Sequence, residues 1–124
     1  MAAVIVFEYA VLRAVPRVER GERVNIGVVL YCQARDFLAV SVHVDAARLR
    51  ALDPDVDVEG VTAAALALQR ICDGQGPAGQ TSLGQRFRWL VAPRSTVVQA
   101  GPAHSGLTLD PRAELEHLLT VLVR

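Results

Sequence analysis

The stretch VNIGVVLYCQARDFLAVSVHV, residues 24–44, decides the fold. In its first half Val24, Ile26, Val28, Leu30 and Cys32 recur at period two, with Asn25, Gly27, Val29, Tyr31 and Gln33 between them. Successive side chains of a strand point to opposite sides, so this spacing predicts a strand over Val24–Gln33 with those two sets on opposite faces. After a short turn at Ala34 and Arg35, Phe37–Val44 returns with Leu38, Val40, Val42 and Val44 alternating against Ala39, Ser41 and His43. Two alternating runs joined by a short turn form an antiparallel hairpin.

Working toward the N-terminus, Ala3–Val15 holds Ile5, Phe7, Tyr9 and Val11 at period two and is stopped by Pro16, which predicts a strand covered on both faces. Pro16–Arg23 is too charged for a core and reads as an exposed loop. Toward the C-terminus, Asp45 is an N-cap for a short helix over Ala46–Leu52, ended by Asp53 and Pro54. Val61, Ala64, Ala65, Leu68, Ile71 and Cys72 then mark one stripe of a helix over 57–73, with Gly74 at its end. The glycine-rich span 74–84 reads as a flexible connection. Phe87, Trp89 and Val91 alternate with Arg86, Arg88 and Leu90, which predicts a strand over Arg86–Val91 with one wet face, followed by a short strand over Ser95–Gln99 and a loop over Ala100–Leu109. Asp110 as N-cap, Pro111 at the first helical position and the stripe Leu115, Leu118, Leu119, Leu122 predict a closing helix. Together these elements describe one α+β domain over residues 1–124, a mostly antiparallel sheet of about five strands with helices packed on one face.

Composition narrows the function. Apolar residues make up 52% of the 124 and charged residues 21%, a balance that favours a packed core over disorder. Thirteen basic residues balance thirteen acidic ones, so there is no broad cationic field and general nucleic-acid binding is disfavoured. Every basic residue other than the three histidines is Arg, which excludes lysine chemistry. Cys32 and Cys72 lack the close spacing of a zinc framework and read as buried thiols. No run of apolar residues is long enough to span a bilayer, and Glu8 interrupts the apolar start before a signal-peptide core could form, so a cytoplasmic location is expected. The sequence calls for no metal and no cofactor.

Three polar segments are candidates for a site. The first is the loop PRVERGERVNIGV, with Glu19, Arg20 and Glu22 as partner-binding charges, and Asn25 and Gly27 inside the following strand, where a glycine marks close approach by another backbone or a ligand. The second is APRST, residues 92–96, in which the Arg94 guanidinium with the Ser95 and Thr96 hydroxyls could clamp an anion. The third is GPAHSGL, residues 101–107, which presents His104 just ahead of the closing helix. Phosphate-loop, dinucleotide, zinc-protease and nucleophile-elbow motifs do not occur.

The segments PRVERGERVNIGVVLYC (16–32), FRWLVAPRST (87–96) and PAHSGLTLDPRAELEHLL (102–119) together resemble the bacterial domain of unknown function 3037 family. The resemblance spans nearly the whole chain and transfers an outline without an activity. It implies an accessory role, or physical partnership, with a HipA-like kinase encoded nearby. Its polar pattern matches Glu19, Arg20, Gly21, Glu22, Asn25, Gly27, Pro93, Arg94, Ser95, Thr96, His104, Asp110 and Pro111. The leading expectation is therefore a non-catalytic protein-interaction module acting through the charged loop and the Arg-bearing sheet face, with homo-oligomers also allowed. The alternative is an enzyme or sensor for a phosphorylated or nucleotide ligand, using Arg94, Ser95 and His104 with Arg13 and Asn25. Nucleic-acid binding would require Arg17, Arg20, Arg23, Arg86, Arg88 and Arg94 to share a face. All these readings need the polar segments to meet in space.

Overall fold

A computed structural model describes residues 3–94 and 96–124. The described residues form five strands, β1 (Ile5–Ala14), β2 (Val24–Cys32), β3 (Phe37–Val42), β4 (Val98–Ala100) and β5 (His104–Thr108), and four α-helices, α1 (Ala46–Leu52), α2 (Val58–Cys72), α3 (Leu83–Leu90) and α4 (Pro111–Leu122). The sheet order is β3-β2-β1-β4, with β5 also pairing β1, and every pairing is antiparallel. β1 is central. β5 runs beside its first half, from Ile5↔Thr108 to Tyr9↔His104, and β4 beside its second, from Leu12↔Ala100 to Ala14↔Val98. The chain is an α+β domain, as its sequence led one to expect.

The hairpin forms as read, with a 3-10 turn at Gln33–Arg35 closed by Asp36 in the left-handed region. One detail differs. The register against β1 slips from Leu12↔Gly27 to Arg13↔Asn25, leaving Ile26 as the extra residue of a bulge. The bulge inverts the alternation, so Val24 and Ile26 join Val29 and Tyr31 on one side, while Val28, Leu30 and Cys32 face the other. Gly27 lies at this bend, where a Cβ would come within 2.7 Å of the Ser41 carbonyl oxygen. A neighbouring backbone explains that glycine.

Two cores result. Ala10, Leu12 and Ala14 of β1 pack with Leu49, Val61, Ala65, Phe87 and Leu90 of α1, α2 and α3. On the opposite face Phe7, Val28, Leu30 and Cys32 meet Leu115, Leu119 and Val123 at the end of α4. Alternate residues of an unbulged strand point to opposite faces, so three helices share one face and α4 departs from the one-face expectation. α1, α2 and α4 begin at the N-caps Asp45, Asp57 and Asp110, whose carboxylates accept backbone N–H bonds of the first turn.

Three further expectations are corrected. Arg86–Val91 is not a strand, because Leu83–Leu90 is helical, with Ser82 and Gln85 in a reciprocal capping box. Phe87 and Leu90, one helical turn apart, are the buried pair. The short strand begins at Val98 rather than residue 95, and 104–108 is strand β5 rather than loop. The 74–84 connection carries a 3-10 turn at Ala78–Gln80. Arg86 ties it down by donating to the carbonyl oxygens of Cys72 and Thr81, both at 2.9 Å.

Candidate functional site

The residue on α3 that the core does not use is Trp89. Burying Phe87 and Leu90 rotates Trp89 outward, and it is 40% exposed. Past the helix end, Pro93 redirects the chain so that Arg94 folds back. The Arg94 guanidinium carbon sits 4.1 Å from the Trp89 ring centroid. Arg94 also donates to the carbonyl oxygens of Leu90, at 3.2 Å, and Trp89. The last carbonyls of a helix lack intrahelical donors and carry its negative end, so a stacked cation here satisfies both needs. Partial burial lowers the Arg94 pKa from its ordinary value, while an arginine keeps its charge at any working pH.

Hollows open on both sides of Trp89. One, about 540 Å³, lies among Ile71, Pro77, Ala78 and the indole. The other, about 280 Å³, runs along Ala64, Ala67, Leu68 and Ile71 of α2 to Thr96, Val97 and Val98, with Arg94 and Trp89 at its rim. Val97, which lines the second hollow, is exposed. The corner is thus an apolar groove with one aromatic ring and one cation in its wall. Thr96 spends its hydroxyl on the Val98 carbonyl at 2.7 Å, and Ser95 lies outside the described residues.

The charged loop is built differently. The Arg17 carbonyl accepts from the N–H groups of Arg20 and Gly21, and Gly21 turns the chain at a φ of +72° that favours glycine. Arg20 is bonded to Glu22, which holds the Glu22 carboxyl below its ordinary range, and both side chains stand in solvent. Glu19 is exposed as well. Arg17 reaches Asp53 at 3.4 Å and pins the loop to the turn after α1.

Asn25 and Arg13 do come together. They are partners in the β1–β2 register, and Arg13 is also paired with Gln99, giving a polar row across three strands on the α4 face. Asn25 donates to the Leu122 carbonyl oxygen at 2.9 Å, tying down the end of α4. The Arg13 guanidinium lies over Gly101, where a Cβ would meet its Nη2 at 2.5 Å. His104 does not stand at the mouth of α4. It is in β5 opposite Tyr9, with the two ring centroids 5.4 Å apart.

Tyr9 packs with the α4 core, whereas Arg94 is bonded to α3 on the other face. The sheet separates His104 from Arg94, so the three polar segments do not close one pocket. The Arg-bearing sheet face is also absent: Arg86 and Arg88 are on a helix. Arg88 makes a two-pronged pair with Glu8, at 2.9 and 3.3 Å. Arg17, Arg20 and Arg88 are paired with Asp53, Glu22 and Glu8, and Arg86 is bonded to backbone carbonyls. Among the described residues no group of three or more His, Cys, Asp and Glu is placed to hold a metal ion, and no helix is long and apolar enough to cross a membrane.

Trp89 is the residue that the sequence reading passed over. Its signal was the capping box of Ser82 and Gln85 ahead of Leu83, Phe87 and Leu90 at i, i+4 and i+7.

Fold and corner together define a small α+β domain with a Trp/Arg-rimmed apolar groove. Over residues 9–123 the chain matches the family model described as protein of unknown function (DUF3037), and it belongs to that family. No curated protein and no solved structure matches it.

Proposed function

We propose that this chain is a non-catalytic interaction module, working in the bacterial cytoplasm, that seats a protein partner in the groove around Trp89 and Arg94. The observation that carries this reading is the pairing itself: an indole held half-exposed between two apolar hollows, with a guanidinium stacked on it. Tryptophan and arginine are enriched among the residues that dominate binding energy at protein interfaces. The hydrogen bonds of Arg94 to the end of α3 hold the pair in place before a partner arrives, so less side-chain freedom is lost on binding. The family resemblance supports a HipA-like kinase as the partner.

The test is coexpression with the HipA-like kinase encoded beside a family member, followed by size-exclusion chromatography. Co-elution, lost in Trp89→Ala, is the expected result. Truncating a central tryptophan typically costs at least ~2 kcal/mol of binding, roughly 30-fold in affinity. Two separately eluting species, or a complex indifferent to Trp89→Ala, overturn the reading. The anion-ligand alternative draws on less, because Arg94 already spends hydrogen bonds on two carbonyls and His104 faces the other side of the sheet.

A further inference from the structure

We propose that β5 is a dimerisation edge, on which two copies of this chain join their β5 strands antiparallel about a two-fold axis at Leu107. The two edges of the sheet are not alike. At the β3 edge no residue of the strand is exposed, because α2 and α4 pack against it. Among the described residues β5 pairs with β1 alone, and His104, Ser105 and Leu107 are open to solvent. An open edge presents a row of unpaired backbone donors and acceptors. Proteins that remain monomeric usually blunt such an edge with charge or proline. The β5 segment HSGLT contains no Lys, Arg, Asp, Glu or Pro.

Beside that edge the α1–α3 face of the sheet is bare and apolar. Val6 and its cross-strand partner Leu107 are 60% and 67% exposed, with Val4 and Leu109 next to them at 57% and 54%. A strand laid against its own copy about a two-fold axis is antiparallel by symmetry, which matches every other pairing in this sheet. The side chains select the register. With Leu107 opposite its own copy, the two leucines cover one another, and the row Val6, Leu107, Leu107, Val6 becomes continuous across the dimer. The same register sets His104 opposite Asp110 of the other copy, twice, on the α4 face. Moving the axis to Gly106 instead puts Leu107 against Ser105 and His104 against Thr108, losing both the apolar match and the placement of His104 opposite Asp110. A formal net charge of zero raises no long-range barrier to self-association.

Sedimentation equilibrium of the full chain over a wide concentration range tests this. The expected result is a reversible species of twice the 13.4 kDa chain mass. Leu107→Lys brings two ammonium groups together at the axis and should weaken association at least ~10-fold. Its side chain is exposed, so circular dichroism should report an unchanged fold. Leu107→Cys should cross-link to its own copy with a short bis-maleimide. The parent chain should not, because Cys32 and Cys72 are both buried. A chain that stays monomeric to millimolar concentration overturns the proposal. So does a dimer that ignores Leu107→Lys or fails to cross-link through Leu107→Cys.

Discussion

In the 16–23 loop Arg20 and Glu22 are bonded to one another in open water, whereas at the end of α3 Arg94 is stacked on Trp89 and bonded to two backbone carbonyls. Both regions display arginine near a surface. In the loop, the water each charge gives up and the screening around it offset most of the attraction, so the pair stabilises little. At the corner the cation is partly desolvated and its partners are fixed backbone and an aromatic face, where such contacts are stronger. Density of charge along the chain is therefore a poor guide to where an arginine is held most firmly. What distinguishes the corner is that a helix anchored in the core places one large side chain outside it.

That account depends first on the anchor. Phe87 is fully buried and its ring stacks on Tyr31 with centroids 5.4 Å apart. Phe87→Ala should destabilise the fold by about 3–5 kcal/mol, the largest effect expected, measured as a shift in the urea midpoint at unchanged slope. A loss under about 1 kcal/mol would mean that α3 rests on the sheet only loosely, and the contrast between corner and loop would fail at its base.

A smaller effect reports how dry the core beneath α2 and α3 is. Cys72 ends α2 beside Arg86, and burial pushes its thiol up to about 11 from the ordinary 9.0. Above the ordinary value the unfolded chain releases this proton while the folded chain retains it. The folded state then binds more protons, and stability falls as pH rises from about 9 toward 11. Below that window the thiol contributes no slope. Urea midpoints of the parent chain and Cys72→Ala across this range should diverge, with the parent falling more steeply. Parallel curves would place water at the thiol and show that the core in which α3 is anchored is not dry at the end of α2.

The legibility of these regions follows the range of the interactions that make them. The hairpin, α1, α2 and α4 could be read because alternation, the 3.6-residue stripe and the caps Asp45, Asp57 and Asp110 are local features. α3 was obscured because Arg and aromatic residues alternate over 86–89, imitating strand period, although Ser82 and Gln85 signalled a helix start. β5 was obscured for a different reason. Gly101, Pro102 and Gly106 suggest a loop, and the strand exists only because β1 pairs with it from the far end of the chain, Ile5 with Thr108. The bulge at Ile26 is likewise a product of register with β1. For the site, Arg94 was legible as a residue of interest, but its role was not, since Trp89 is its neighbour only once residues 83–90 are helical.

The smallest expected effect is the one that most directly opposes the two regions. Replacing both members of the loop pair, Arg20→Ala with Glu22→Ala, should leave the melting temperature unchanged within error. The carboxyl of Glu22 is drawn below its ordinary range by the bond from Arg20, and such a shift favours the folded state above the ordinary carboxylate pKa, fading as pH falls through the lowered value. Both groups remain fully solvated, however, so the same ions are nearly as well accommodated in the unfolded chain. The double variant should also retain the partner complex that Trp89→Ala loses, with at most a slower, more salt-sensitive association, because rim charges act on encounter more than on residence. If instead the loop variant abolishes the complex and Trp89→Ala does not, the charged loop is the docking element and the corner serves only to close helix α3.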